Sequence, residues 1–481
     1  MKKLNELYPM VDSDVLIKSV KINSKEVEEG DLFVCTMGVT ADRHDFIDDA
    51  VKNGAAALIV SKDVSENRVP VIKVPDTNRE MPFLCQKFYD YPDKLLKMIG
   101  ITGTDGKTSV ASIVQTLIGS DVCGYICTNG RSCAKFSGDI PNTTPDADKL
   151  YAYFREFVDF GCKYVVKEAS SEAFFRGRLQ SIKYDVSVYT NITSEHLNIH
   201  GSFENYMESK LMLFKQTKPD GYCILNADDF YYEKVKEVCI GKVLTYGKGA
   251  NNTLQIVDFS LYPDRTNITF KYEDKTFDIE SPLLGDFNVY NLAAAILTCI
   301  ALDFSLDMAI KNIDKLKVSG RLEMLNTEEP FYVMVDYAHT PNGIAKLLNF
   351  VKTLDINRSI VVIGQAGERD YLKRPEVGEI VLKNCSYAIF TSEDPRSEDP
   401  YSICEDMIKT CKDTHNNYEI EVDRRKAIEK AINMAKEKDM VLILGKGNET
   451  YQKLKDETIY FNDIEECYVA LANRKIKESM R

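Results

Sequence analysis

The sequence predicts an α/β protein of three domains, and three observations carry that prediction. The chain has 481 residues, about three times the usual ~150 residues of one domain. Short apolar runs of strand length alternate with helical patterns along most of it, as in mostly parallel sheets covered by helices. Several runs end in glycine-rich or polar loops, and in open parallel sheets ligands bind beyond the carboxyl ends of the strands.

Composition narrows the function. Hydrophobic residues make up 44% and charged residues 28% of the chain, as in an ordinary globular protein. A net charge of −13 argues against a nucleic-acid partner but leaves small anionic ligands open. No apolar stretch reaches the ~20 residues of a membrane span, and "MKKLNELYPM" lacks the apolar core of a secretory signal. The 13 cysteines are scattered without a repeated Cys-x-x-Cys pair. These features predict a cytoplasmic protein with free thiols, no membrane partner and no zinc ribbon.

The first domain is expected at residues 1–97. Its strands are "GDLFVC" (Gly30 to Cys35) and "AAALIV" (Ala55 to Val60), with the helical pattern "HDFIDDAVKNGA" between them. "FYDYPDKLLK" (Phe88 to Lys97) reads as a linker. The second domain, 98–320, opens with "MIGITGTDGKTS" and continues through strands at Tyr164 to Ala169, Asp185 to Ile192 and Gly221 to Asn226. The third, 321–481, has strands at Tyr332 to Ala338, Ser359 to Gly364, Tyr387 to Glu393 and Met440 to Gly445.

"GITGTDGKTS" is a glycine-rich turn between a strand and a helix. It departs from the strict phosphate-loop spacing, which needs Gly where Ile101 stands. The physics still holds: Gly103 and Gly106 let backbone N–H groups turn toward phosphate oxygens, and the helix N-terminus adds positive potential. Lys107 would reach the outer phosphates and the Thr108 hydroxyl would sit on Mg²⁺. Glu168, at a strand end, is either a Mg²⁺ ligand beside the phosphates or a solvated charge. His196 and His200 follow another strand, where a lone His is more often structural than a ligand. Lys210, in "YMESKLMLF", reads as a solvated cation on a helix. Asn288 and Asn291 open an alanine-rich helix, where they read a base edge or cap the helix. Arg321 lies at a domain junction, and Asp336 and His339 end a strand. Arg369, Arg396 and Glu449 together suit a zwitterion, with guanidinium forks for carboxylate and a carboxylate for ammonium.

Some ten motifs, from "NSKEVEEGDLFV" to "GKGNETYQ", stand in the order found in the Mur ligases, and the chain resembles the MurE branch of that family nearly end to end. The resemblance implies a UDP-sugar-binding first domain, a central phosphate-loop ATPase domain and a C-terminal Rossmann-like domain that binds an amino acid. It implies an ATP- and Mg²⁺-dependent amide ligase, a monomer, acting on UDP-MurNAc-L-Ala-D-Glu and a free diamino acid in peptidoglycan precursor synthesis. Carried over by motif, Gly103, Thr104, Asp105, Gly106, Lys107, Thr108 and Ser109 bind ATP phosphates, and Asn288, Asn291, Arg321 and Asp336 face adenosine or phosphate. Thr108, Glu168 and His196 form the Mg²⁺ set, with Lys210 as a carbamylated lysine holding a second ion. Ser24, Asn142, Thr143, Thr144, Ser170 and Arg178 hold the UDP-MurNAc-dipeptide, and Arg369, Asp394, Arg396, Gly445 and Glu449 the incoming amino acid.

The chain departs from the family pattern at Asp105, Glu172, Arg176, Glu195, Asp394 and Asn448. In "SEDPR", Asp394 stands where the diaminopimelate signature has Asn, while Arg396 remains to meet a distal carboxylate. A lysine-selecting site would leave that guanidinium without its partner, so meso-diaminopimelate is favoured over L-lysine. Two other readings remain: a paralogous ligase acting on a different carboxylate, and a nucleotide-binding protein without ligase chemistry.

Overall fold

A computed structural model describes residues 1–38, 41–140, 142–193, 197–317 and 320–479. It divides into two compact units, Met1–Gln255 with Tyr290–Asn312, and Ile256–Val289 with Ile313–Arg481.

Besides the two-stranded pair Lys2–Lys3 with Leu16–Ile17, the first unit holds a smaller and a larger sheet. The smaller is parallel throughout, in the order Val20–Lys21, Asp31–Val34, Ala55–Val60, Val71–Lys73. Its central strands are covered on both faces, which is why "DLFV" and "AAALIV" are continuous apolar runs rather than alternating ones. Helix Thr77–Phe88 follows, capped by the Asp76 carboxylate, which accepts from the backbone N–H of Asn78 and Arg79. The expected linker is not open chain: Asp90 and Tyr91 turn through positive φ, and Pro92–Leu95 forms a short helix. Gln86 Nε2 donates to the buried Asp93 carboxylate at 2.8 Å, which fixes that turn.

The larger sheet places the glycine-rich loop. Its parallel strands lie in the order Cys123–Cys127, Tyr164–Glu168, Lys97–Thr102, Tyr184–Tyr189, Thr217–Asn226, Lys242–Gly247. The first strand in sequence therefore sits in the middle, with Glu168 opposite Ile101 on one side and Tyr189 opposite Thr102 on the other. Three strand ends converge where the chain leaves Thr102. Helix Lys107–Ile118 packs Val110, Ile113, Val114 and Leu117 inward, and helix Phe203–Lys215 does so with Met207, Leu211 and Phe214. Each such side chain contributes about 1.5–3 kcal/mol by leaving water. Gly100 allows the close fit of the second helix, since a Cβ there would meet Leu213 at 2.6 Å and the Tyr184 ring at 2.7 Å. Two short antiparallel strands, Gly130–Cys133 and Phe136–Gly138, extend the sheet edge.

The second unit contains the hairpin Thr266–Tyr272 and Lys275–Ser281, turning at Glu273 with φ 52°. Its main sheet runs Glu323–Met324, Tyr332–Asp336, Met440–Leu444, Ser359–Ile363, Tyr387–Phe390, Tyr418–Ile420, parallel except at the Glu323 edge. Side chains alternate between two cores. Met334, Val361, Ile363, Leu442 and Leu444 face one, and Val333, Val335, Ile360, Val362, Val441 and Ile443 face the other. On the second face, Arg424 and Asp463, both fully buried, pair at 2.6 Å and tie together helices Arg424–Met434 and Asp463–Ser479. Removing one partner would strand a buried charge.

Candidate functional site

The loop after Thr102 is shaped by two glycines. Gly103 has φ 149°, and a Cβ there would lie 1.9 Å from Thr190 Oγ1. Gly106 is left-handed, φ 85°, and caps helix Lys107–Ile118; a Cβ would lie 2.5 Å from Asn291 Oδ1. The neighbouring strand end clamps the loop. Thr104 N–H donates to Asn191 O at 2.8 Å, Asp105 N–H to Asn191 Oδ1 at 2.9 Å, and the Thr190 hydroxyl to Asp105 O at 2.6 Å. Thr190 and Asn191 were missed by sequence reasoning, although their place at a strand end beside the loop was a usable signal. Lys107 Nζ donates to the carbonyls of Gly103 at 3.0 Å and Thr104 at 2.7 Å, arching over the loop. Ser109 is half-buried, and Asp105 is exposed.

Glu168 is 1% exposed, so it is not a solvated charge. Its Oε1 accepts from Thr108 Oγ1 at 2.5 Å and from Thr128 N–H at 3.0 Å, and the Thr128 hydroxyl adds a third donor at 3.2 Å. Thr108 and Glu168, both expected in the Mg²⁺ set, are in direct contact, and Thr128 is a further partner of Glu168. Among the described residues no group of three or more His, Cys, Asp or Glu could hold a metal by itself. Two hard oxygens beside this glycine-rich loop would nevertheless suit Mg²⁺, which keeps waters and substrate phosphates among its ligands. His196, expected in the same set, and Glu195 lie outside the described residues. His200 is buried between the Phe175 and Tyr206 rings, with Nε2 3.1 Å from Ser171 Oγ, a structural role.

Lys210 corrects its reading as a solvated cation. It is 2% exposed, its Nζ donates to Gly103 O at 2.5 Å, and it lies 4.5 Å from the centre of the Tyr206 ring. Lys167, next to Glu168 in the chain, is fully buried on its strand and donates to Glu168 O at 3.0 Å; burial lowers its ammonium to about 7.

The residues expected to hold the larger substrate are partly joined. Thr144 is buried, its hydroxyl donates to Glu168 O at 3.2 Å, and Ser170 N–H donates to it at 3.4 Å. Ser170 caps helix Ser171–Phe175 through Ala173 N–H. Arg178 donates to Thr144 O at 3.2 Å and pairs with Asp146 at 2.7 Å. Thr143 Oγ1 lies 3.1 Å from Thr128 Oγ1, and Asn142 is exposed. A cavity of about 150 Å³ opens beside Arg178, lined also by Ile22, Thr36, Arg43, Asn78 and Arg176. Ser24 is buried in the short helix after Asn23 and does not line that cavity. Asn291 is buried in helix Asp286–Ala301 and faces Gly106.

In the second unit, Asn288 Nδ2 bonds back to Leu284 O at 2.8 Å. Asp336 accepts from the N–H groups of Leu322 and Ala338, both at 2.7 Å. Burial raises its carboxyl above the usual range, and Arg321, whose guanidinium stacks 4.6 Å from the Tyr337 ring centre, opposes that rise. Asp394 and Glu449 converge on one cation that sequence reasoning missed: Lys446 Nζ is 2.9 Å from each carboxylate. Gly445, φ 112°, lets the strand end pass Glu393, whose Oε2 a Cβ would approach to 3.1 Å. That Oε2 and Arg396 Nε are buried without a hydrogen-bond partner among the described residues. Burial raises the Glu393 carboxyl to about 7. Arg369 is exposed.

Comparison with known proteins is consistent along the chain. Residues 16–97 match the Mur ligase family catalytic domain, 101–299 the Mur ligase middle domain, and 320–447 the Mur ligase glutamate ligase domain. The UDP-N-acetylmuramoyl-L-alanyl-D-glutamate--2,6-diaminopimelate ligase of Clostridium perfringens is 35% identical over 95% of this chain and 96% of its own. Its counterpart in Bacillus velezensis is 38% identical over 93% of each. A solved structure of a ligase of the same name aligns with TM-score 0.72 and 28% identity over 99% of this chain and 100% of its own.

Proposed function

This chain belongs to the Mur ligase family, in its MurE branch, and on that premise we propose that it joins meso-diaminopimelate to UDP-MurNAc-L-Ala-D-Glu. It is an ATP-dependent ligase of three α/β domains. The reaction activates a carboxylate, which is a poor acyl donor because its leaving group would be oxide. Transfer of the γ-phosphoryl group of ATP to a D-Glu carboxylate oxygen gives an acyl phosphate and ADP. The amine of the incoming amino acid attacks the carbonyl carbon, phosphate leaves, and the nitrogen loses a proton.

The single observation that carries this reading is the convergence at Thr102 of the glycine-shaped loop, Lys107 and the Thr108–Glu168 pair. The loop N–H groups and the Lys107 ammonium are assigned to the ATP phosphates, spreading the charge of the transferring group. Thr108 and Glu168 would hold Mg²⁺, joined by His196. Magnesium bound there supplies electrostatic stabilisation of the phosphoryl oxygens. Arg178, Thr144 and Ser170 are assigned to the UDP-MurNAc-dipeptide, and the Arg396, Asp394 and Glu449 region to the amino acid. The three-donor shell around Glu168 fixes its carboxylate before substrate arrives, which lowers the reorganisation needed in the transition state.

We assign the enzyme to the cytoplasm, where ATP is supplied; among the described residues no helix is long and apolar enough to cross a membrane. Mass analysis of the reaction product tests the proposal. The expected product carries one diaminopimelate per UDP-MurNAc-dipeptide, less one water, with one ADP formed. ADP formed without such a product would point to another acyl acceptor.

A further inference from the structure

The cavity beside Arg178 is lined by three arginines, Arg43, Arg176 and Arg178. Two are restrained by carboxylates: Arg178 Nε is 2.7 Å from Asp146, and Arg176 Nε is 2.7 Å from Glu172, one helical turn earlier. Arg43 differs. Its Nη1 donates to the Thr36 hydroxyl at 2.7 Å, and among the described residues no carboxylate lies within ion-pair distance of it. The nearest acid in sequence, Asp42, is taken up by the His44 N–H and ring and by Lys62. Three cations facing one small cavity with two carboxylates leave a net positive charge that an anion would neutralise. Planar guanidinium forks suit phosphate and carboxylate oxygens.

Resting on the function proposed above, we infer that Arg43 and Arg176 bind an anionic group of the acyl-donor substrate, with Arg43 supplying the uncompensated charge. The anion is either the diphosphate of the nucleotide or a carboxylate of the peptide, and the two are separable by probe.

Calorimetric binding of UDP and of UDP-MurNAc-L-Ala-D-Glu to the wild-type chain, Arg43→Gln, Arg43→Lys and Arg176→Gln tests this at low and high salt. Both Gln variants are expected to bind the dipeptide substrate about tenfold or more weakly, with a shallower salt dependence. Arg43→Lys is expected to keep part of the affinity, which separates lost charge from a damaged fold. An equal loss toward UDP assigns the anion to the diphosphate; a loss confined to the dipeptide substrate assigns it to the peptide. Affinities within about twofold of wild type for both probes in both Gln variants overturn the inference. If the wild-type chain binds UDP but not the dipeptide substrate, the functional reading itself falls, and the inference with it.

Discussion

The Lys210 ammonium donates to the carbonyl oxygen of Gly103 at 2.5 Å, so a helix far along the chain holds the first residue of the glycine-rich loop. A carbamylated Lys210 would keep one N–H for that bond and gain a carboxylate whose two oxygens share one negative charge. Lys210→Ala is expected to lower kcat by more than about 100-fold, with partial recovery on adding a small carboxylate. Full activity in the variant would remove the carbamate from the account.

Glu168 gathers Thr108 and Thr128. Glu168→Gln keeps an acceptor for Thr108 but loses the charge. Activity is expected to fall about 100-fold or more, with a higher Mg²⁺ requirement and little change in melting temperature. A loss of activity matched by a loss of fold would make Glu168 a structural residue.

Gly103 combines positive φ with a Cβ position 1.9 Å from Thr190 Oγ1. Gly103→Ala is expected to destabilise the chain by about 2–4 kcal/mol through backbone strain and overpacking. Pairing it with Thr190→Ala should recover the steric part and leave the strain, as read by denaturant unfolding.

Glu393 gives a pH dependence with a definite sign. Its carboxyl is raised from 4.5 to about 7, because burial and the carboxylates of Glu449 and Asp394 outweigh Arg424 and Lys446. The native state therefore holds a proton that the unfolded state has lost, and this group's contribution to stability declines as pH rises from about 4.5 through about 7. If the orphaned Oε2 meets an ammonium of the amino acid, KM for diaminopimelate should fall between pH 6 and 8. Glu393→Gln should flatten that profile; an unchanged profile in the variant would place the titration elsewhere.

The parallel strands were legible because burial on both faces writes them as unbroken apolar runs, as in Met440–Leu444. The hairpin Thr266–Tyr272 and Lys275–Ser281 and the edge strands near Gly130 were not, since half-exposed antiparallel strands carry at least as many polar as apolar residues. Lys210 was misread although the spacing was informative: Tyr206, Lys210 and Leu213 share the buried stripe of one helix. Lys446 was passed over because its partner Asp394 lies 52 residues away, and sequence shows charges but not which of them meet. That contact also bears on "SEDPR", since Lys446 offsets the Asp394 charge.

The central claim is best tested by phosphate release with ATP, Mg²⁺ and UDP-MurNAc-L-Ala-D-Glu, run in parallel with meso-diaminopimelate, L-lysine and no amino acid. Release that depends on meso-diaminopimelate is the predicted result. Much faster release with L-lysine would contradict the assigned amino acid, and no release in any of the three would contradict the assigned acyl donor.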